Sequence, residues 1–193
     1  MTGVLFLDQV RAADAALAGG KGANLGELMA AGLPIPPGFV VPTSAYRAFA
    51  DGLDLAAAVA GLSHVPRGDL ARRCASVQRT ILEAEIPQDL AEEIMAAHGR
   101  LVSSRNGNVP LAVRSSATAE DLAGASFAGQ HGTYYYVGAA RLLEVIRRCW
   151  ASLWSPEAVT YRAAHGIPHA AVLMAVVVQE MIESQVSGVA FTA

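Results

Sequence analysis

The sequence predicts an α+β fold, with a mixed sheet flanked by helices, on three observations. Short apolar runs bounded by turn-forming residues recur at Val4–Leu7, Phe39–Val41, Leu111–Arg114 and Tyr134–Val137, and their length suits strands. A valine-rich run from Ala171 to Ile182 reads as a long strand, and Ser187–Thr192 as the next. About residues 53–103 are alanine-rich and helical in pattern, a scaffold with little chemistry of its own. An apolar content of 53% over 193 residues supplies the core of one domain, or of two closely packed subdomains, and excludes a disordered chain.

In chain order, Gly19-Gly20-Lys21-Gly22 follows a polar turn and opens a helix with Leu25, Leu28 and Met29 at helical spacing, stopped by Gly32. Leu33-Pro34-Ile35-Pro36-Pro37-Gly38 excludes helix, because proline fixes φ and pushes its predecessor toward extended backbone. After the strand at Phe39, Thr43 or Ser44 is placed to cap a helix carrying Tyr46 and Phe49. Pro66 and Pro87 divide the helical stretch, and Pro87 suits the first turn of a helix with Leu90, Ile94 and Met95. Asn106-Gly107 marks a turn, and a loop of small residues runs from Ser115 to Gln130. Ala139–Ser152 reads as a helix, Ser155-Pro156 starts another, and a turn around Gln185 separates the last two strands. No internal repeat or low-complexity linker interrupts the chain.

Several function classes are excluded. The net charge is −3 and the basic residues are scattered, so no basic stripe offers a nucleic-acid footprint. Cys74 and Cys149 lie far apart, outside any CxxC or Cys/His cluster, and read as reduced core residues. Asp8 interrupts the first apolar stretch and no basic residue precedes it, unlike a signal peptide. The longest apolar run, Ala170 to Val178, is too short to span a bilayer. These features describe a cytoplasmic protein with neither a nucleic-acid nor a membrane partner. The chain stops at Ala193 inside a strand pattern, which leads us to expect a truncated domain.

Three segments carry chemistry. In Gly19-Gly20-Lys21-Gly22, glycines allow close backbone approach, amides at a helix start favour phosphate, and Lys21 adds a point charge. The P-loop pattern would place Ser or Thr after the lysine, and it is absent. The segment also reads as an ordinary turn before a helix with a solvated lysine. In the second, Arg114 ends a buried strand, where a cation is costly without an anion. The loop of small and hydroxyl residues after it suits phosphate, with Glu120 and Asp121 capping the loop or lying near metal. A structural salt bridge and a plain Ser/Thr loop account for the same residues. In the third, the polar Gln179 interrupts Val176–Val178, so its amide can hold a base and the backbone near Met181 can read a base edge. A strand leaving the core, with Gln179 and Met181 on one face and Glu180 on the other, explains it as well. His131, His165 and His169 sit in no recognisable phosphohistidine context.

The set GGKGANLGEL, LPIPPGFVVPTSAY, AVRSSATAEDLAGASFAGQHGTY and VVVQEMIESQVSGVAFTA, in this order, resembles the N-terminal ATP-grasp region of the pyruvate phosphate dikinase and phosphoenolpyruvate synthase family, over essentially the whole chain. The SSATAEDL and ASFAGQ forms resemble phosphoenolpyruvate synthases and rifampicin phosphotransferases more than dikinases proper. At His131 and Gly132, family members often carry other polar residues. The resemblance implies that residues 1–193 are the N-terminal portion of an ATP-binding domain, and that Lys21 and Arg114 hold the ATP phosphates. It places Thr118, Gly129 and Thr133 in or beside a phosphate-covering loop, and Gln179 and Met181 at the base. It implies a full-length ATP- and Mg²⁺-dependent kinase-type transferase that passes a phosphoryl group through a histidine on a downstream domain to pyruvate or, alternatively, to a rifamycin hydroxyl. The metal ligands, the phosphohistidine and the acceptor site are expected outside this stretch, which alone would not turn over. A stand-alone, non-catalytic nucleotide-binding module is a third reading.

Overall fold

The protein is described here by a computed structural model covering residues 3–53, 55, 58–59, 61–103, 109–118, 132–186 and 188. Among these residues the strands are β1 (Leu5–Phe6), β2 (Gly38–Val41), β3 (Leu111–Ala117), β4 (Thr133–Val137) and β5 (Met174–Glu180). They make one open sheet in the order β1-β2-β5-β3-β4. The α+β class holds, but the sheet expected to be mixed is antiparallel at each described pairing. The direction of a neighbouring strand depends on where the chain re-enters the sheet. Here β5 inserts between β2 and β3 and runs against both, a choice no apolar pattern encodes.

That central position explains the composition of β5. All seven of its residues are buried, since both faces are covered, and a continuous valine run suits such a strand better than alternation. It is shorter than the Ala171–Ile182 run, because His169–Ala171 form a 3₁₀ turn and regular pairing ends at Glu180. The further strand expected at Ser187–Thr192 lies outside the described residues, apart from Gly188.

Among the described residues, six α-helices surround the sheet: α1 (Ala15–Ala30), α2 (Thr43–Gly52), α3 (Arg67–Glu83), α4 (Gln88–Val102), α5 (Leu142–Ser152) and α6 (Pro156–Ala164). Helix α1 ends where Gly32, at φ 83°, takes the left-handed turn that lets Leu33 N–H reach the Leu28 carbonyl. Pro66 and Pro87 stand immediately before α3 and α4 as their N-caps. Ser155 caps α6 by accepting from the Ala158 amide, with Pro156 at the first helical position. The cap expected from Thr43 or Ser44 is not made. Pro42 is the N-cap of α2, and the Thr43 hydroxyl instead donates to the Ala16 carbonyl at 2.8 Å, tying α2 to α1.

Strand alternation divides the apolar residues between two cores. On one face, Phe39, Val41, Leu111, Val113, Val176 and Val178 meet residues of α2 through α6 in the main core. Trp150 is fully buried there, 4.7 Å from the Phe49 ring and 5.9 Å from Tyr46. Tyr46 accepts from the Trp154 indole N–H at 3.0 Å, and burial pushes its phenol up to about 12. Cys74 and Cys149 are buried free thiols, both raised by burial, Cys149 to about 12. On the opposite face, Val40, Ala175 and Val177 meet Leu7, Val10 and Ala18 in a smaller core. Helix α1 covers it. No described helix is long and apolar enough to cross a membrane.

Candidate functional site

The candidate site is the α1 face of the sheet. Helix α1 runs as two segments, because Gly19 takes φ 66° and ψ 169°, far from helical values. The helix therefore begins earlier than the glycines and restarts after Gly19, with Gly20 and Lys21 opening the second segment. A side chain at Gly19 would be strained by the backbone alone. Its Cβ would also lie 2.3 Å from both the carbonyl oxygen and the hydroxyl of Ser116. Of the glycines expected to admit a ligand, Gly22 also faces Val40 and Val177, and further along the helix Gly26 faces the Val10 carbonyl.

On β3, Ser116 is fully buried, and its hydroxyl donates to the Ala18 carbonyl at 3.1 Å while accepting from the Gly22 amide at 3.3 Å. Arg114 lies two residues earlier, on the same face of the strand. It is half-buried, and pairs across the sheet with Val177 of β5 and Thr133 of β4. Direct cross-strand partners hold their Cβ atoms roughly 4.5–5.5 Å apart. Arg114 and the exposed Thr133 are thus immediate neighbours. Lys21 is half-buried at the head of the second segment, adjacent in sequence to the Gly22 amide that β3 holds. Its charge reaches through the sheet far enough to oppose, weakly, the burial that raises the Cys149 thiol.

Gln179 pairs with Ala112 and with Gly38, two register positions along from Arg114 on the same face. It is 5% exposed, and its Nε2 donates to the Pro36 carbonyl at 3.1 Å. Gly38 makes room for it, since a Cβ there would lie 2.8 Å from Gln179 Cγ and 2.4 Å from the Val178 carbonyl oxygen. The interrupting polar residue of β5 is therefore satisfied by the proline-rich turn, with one donor committed to protein. Met181 follows the strand, half-buried, and its amide donates to the Pro110 carbonyl at 2.9 Å.

Thr118 sits just past β3 and continues the ladder. Its amide donates to the Leu173 carbonyl at 3.1 Å, and its hydroxyl accepts from the Leu173 amide at 3.3 Å. The structure thus brings Lys21, Arg114, Thr133 and Gln179 to one face, and sets Thr118 and Met181 at opposite ends of the β3–β5 seam. Gly129, Glu120, Asp121 and His131 lie outside the described residues. Sequence reasoning missed Ser116 and Gly38. A hydroxyl beside an arginine and a glycine after two prolines are the only local signals, and neither names its partner.

Of the three candidate histidines, His165 and His169 are described, and both make structural contacts. His165 stacks on Tyr161 at 4.0 Å and its Nδ1 lies 2.9 Å from the Tyr161 carbonyl. His169 is buried, and its Nδ1 accepts from Arg162 Nε at 3.1 Å. Burial first, and the Arg162 charge second, hold this imidazole below its ordinary pKa. Arg162 is itself 1% exposed, over the Trp154 ring, and burial lowers it to about 10.

The family described as pyruvate phosphate dikinase, AMP/ATP-binding domain, matches residues 15–193. A probable phosphoenolpyruvate synthase of Methanothermobacter thermautotrophicus is 42% identical over 195 residues, covering 98% of this chain and 28% of the relative. The phosphoenolpyruvate synthase of Pyrococcus furiosus is 37% identical over 229 residues, with 98% and 28% covered. A rifampicin phosphotransferase of Streptomyces sviceus is 45% identical over 196 residues, with 98% and 22% covered. The chain thus spans about a quarter of the length of these relatives.

Proposed function

The chain belongs to the pyruvate phosphate dikinase AMP/ATP-binding domain family, and from that premise we propose that its α1 face holds ATP, with Lys21 and Arg114 on the phosphates. The observation that carries this is the seam between α1 and β3. There the Gly22–Ser116 hydrogen bond ties the restart of α1 to the strand that carries Arg114. Helix-start amides and two cations together suit a polyphosphate. Thr133, beside Arg114, adds a hydroxyl donor. Thr118 joins the phosphate end and Gln179 and Met181 take the base end, while Gly129, outside the described residues, is assigned to the phosphate-covering loop by the family resemblance alone.

The whole protein is, in this reading, a phosphoenolpyruvate synthase-like kinase that transfers a phosphoryl group from ATP to a histidine on another domain and then to pyruvate. Positioning and charge neutralisation dominate such transfers. A second reading, transfer to a rifamycin hydroxyl, is favoured by the 45% identity to the rifampicin phosphotransferase. Magnesium would arrive on the nucleotide. The named residues of this face are cations, a hydroxyl, an amide and a thioether, not the carboxylates a hard cation prefers, so no step is assigned to it here. The buried free thiols suit a reducing, cytoplasmic setting.

Calorimetric titration of the full-length protein with ATP and Mg²⁺ tests the site. Lys21→Ala and Arg114→Ala should each weaken binding roughly tenfold or more, as expected for loss of a charge-assisted contact. Wild-type affinity in both folded variants would falsify the assignment. ATP consumption dependent on pyruvate, or instead on a rifamycin, separates the two acceptors.

A further inference from the structure

A helix start leaves its first amides without intrahelical partners, and the residue before it normally caps one with a side-chain oxygen. In α1 that preceding residue is Gly19, which has no side chain to offer. The acceptor comes instead from the sheet. The Ser116 hydroxyl accepts from the Gly22 amide, the third of the second segment, and donates to the Ala18 carbonyl that ends the first. One fully buried oxygen thus joins both sides of the break. It lies two residues from Arg114 on the same strand face, and the amide it holds is adjacent to Lys21.

We propose that Ser116 is a positioning residue for the phosphate site, setting Lys21 relative to Arg114 by clamping the break in α1 onto β3, a role that rests on those two cations holding the phosphates. The hydroxyl touches neither phosphate nor metal in this role. It acts through Lys21. Gly19 is the complementary half of the device, because only a residue without Cβ admits the Ser116 backbone and hydroxyl at this distance. Loss of the hydroxyl leaves the strand intact and frees the head of the second segment to shift.

The test is a double-mutant cycle in the full-length protein, with Mg²⁺–ATP affinity read by calorimetry and folding by thermal melting without nucleotide. Ser116→Ala should weaken ATP binding about tenfold in the wild-type background, the scale of a misplaced charge-assisted contact. In the Lys21→Ala background the same substitution should change affinity less than about twofold, because the group it positions is gone. Ser116→Cys, whose thiol is a weak donor and acceptor, should fall between Ser and Ala, and it replaces Ser116→Ala in the cycle should that variant not fold. Equal weakening in both backgrounds would mark a merely structural role and overturn the proposal, as would unchanged affinity in folded Ser116→Ala. A Lys21→Ala variant that binds ATP like wild type sinks this proposal together with the assignment of Lys21 to the phosphates. Additivity with an impaired Lys21→Ala sinks this one alone.

Discussion

On the sheet face covered by α2 through α6, Phe39, Ile81, Ile94, Leu111 and Trp150 are fully buried in one continuous apolar cluster. On the α1 face, the buried apolar residues among those described are Leu7, Val10, Ala18, Val40, Ala175 and Val177, and polar groups lie along the same strands: Arg114 and Ser116 on β3, Gln179 on β5. The two faces share strands, and often adjacent residues, yet they divide stability from chemistry. Burial of large side chains supplies most of the folding free energy. The small residues of the other face let α1 sit low enough for one hydroxyl to reach both sides of its break. This difference shows how one strand, such as β3, serves both purposes by alternation.

The largest effect that sharpens this contrast is in the main core. Trp150→Ala should cost about 3–5 kcal/mol in urea unfolding, because a fully buried indole leaves a cavity between Phe49 and Tyr46. The Trp150 N–H has no hydrogen-bond partner among the described residues, so Trp150→Phe should cost much less. ATP affinity of the folded variants should stay near wild type. A large affinity loss in Trp150→Phe would break the division between the faces.

Gly38→Ala should act on both quantities at once. The added Cβ meets the Val178 carbonyl and Gln179 Cγ, so overpacking should cost about 1–3 kcal/mol and displace Gln179 from the Pro36 carbonyl. Urea unfolding and nucleotide titration on the same samples check this, and destabilisation without any change in nucleotide binding would remove Gln179 from the site.

The smallest expected effect is in acid. His169 has a folded-state pKa below the ordinary 6.5, lowered by burial and by Arg162. Below about pH 6.5 the unfolded chain takes up a proton that the folded chain does not, so stability should fall as pH drops through this window and rise as pH increases. His98, also lowered by burial, contributes in the same direction. Thermal melting between neutral and mildly acidic pH should show a shallower loss in His169→Gln, with nucleotide affinity unaffected. An unchanged slope would mean that other groups govern the acid side.

Much of the architecture was legible. The apolar runs at Phe39, Leu111, Tyr134 and Val176 became β2 to β5 because their patterns follow from burial. Gly32, Pro66, Pro87 and Ser155-Pro156 marked helix ends through local stereochemistry, which acts the same way in any fold. The segments that carry Lys21, Arg114 and Gln179 were picked out by residue type. Strand direction was not legible, and neither was the use of Thr43, whose hydroxyl left its own helix for the Ala16 carbonyl of α1.

The sequence by itself determined which segments are strands or helices, which residues face inward, and which few polar groups interrupt apolar runs. Those properties depend on neighbours a few residues away. Only the tertiary structure decided that β5 lies between β2 and β3, that Pro36 and Gly38 frame Gln179, and that Ser116 spans the break at Gly19. The last two depend on hydrogen bonds between residues 94 to 143 positions apart, and the first on strand pairings that likewise join distant stretches of the chain. A hydroxyl or an amide in the sequence states what it can bond, but only the packed chain brings it a partner.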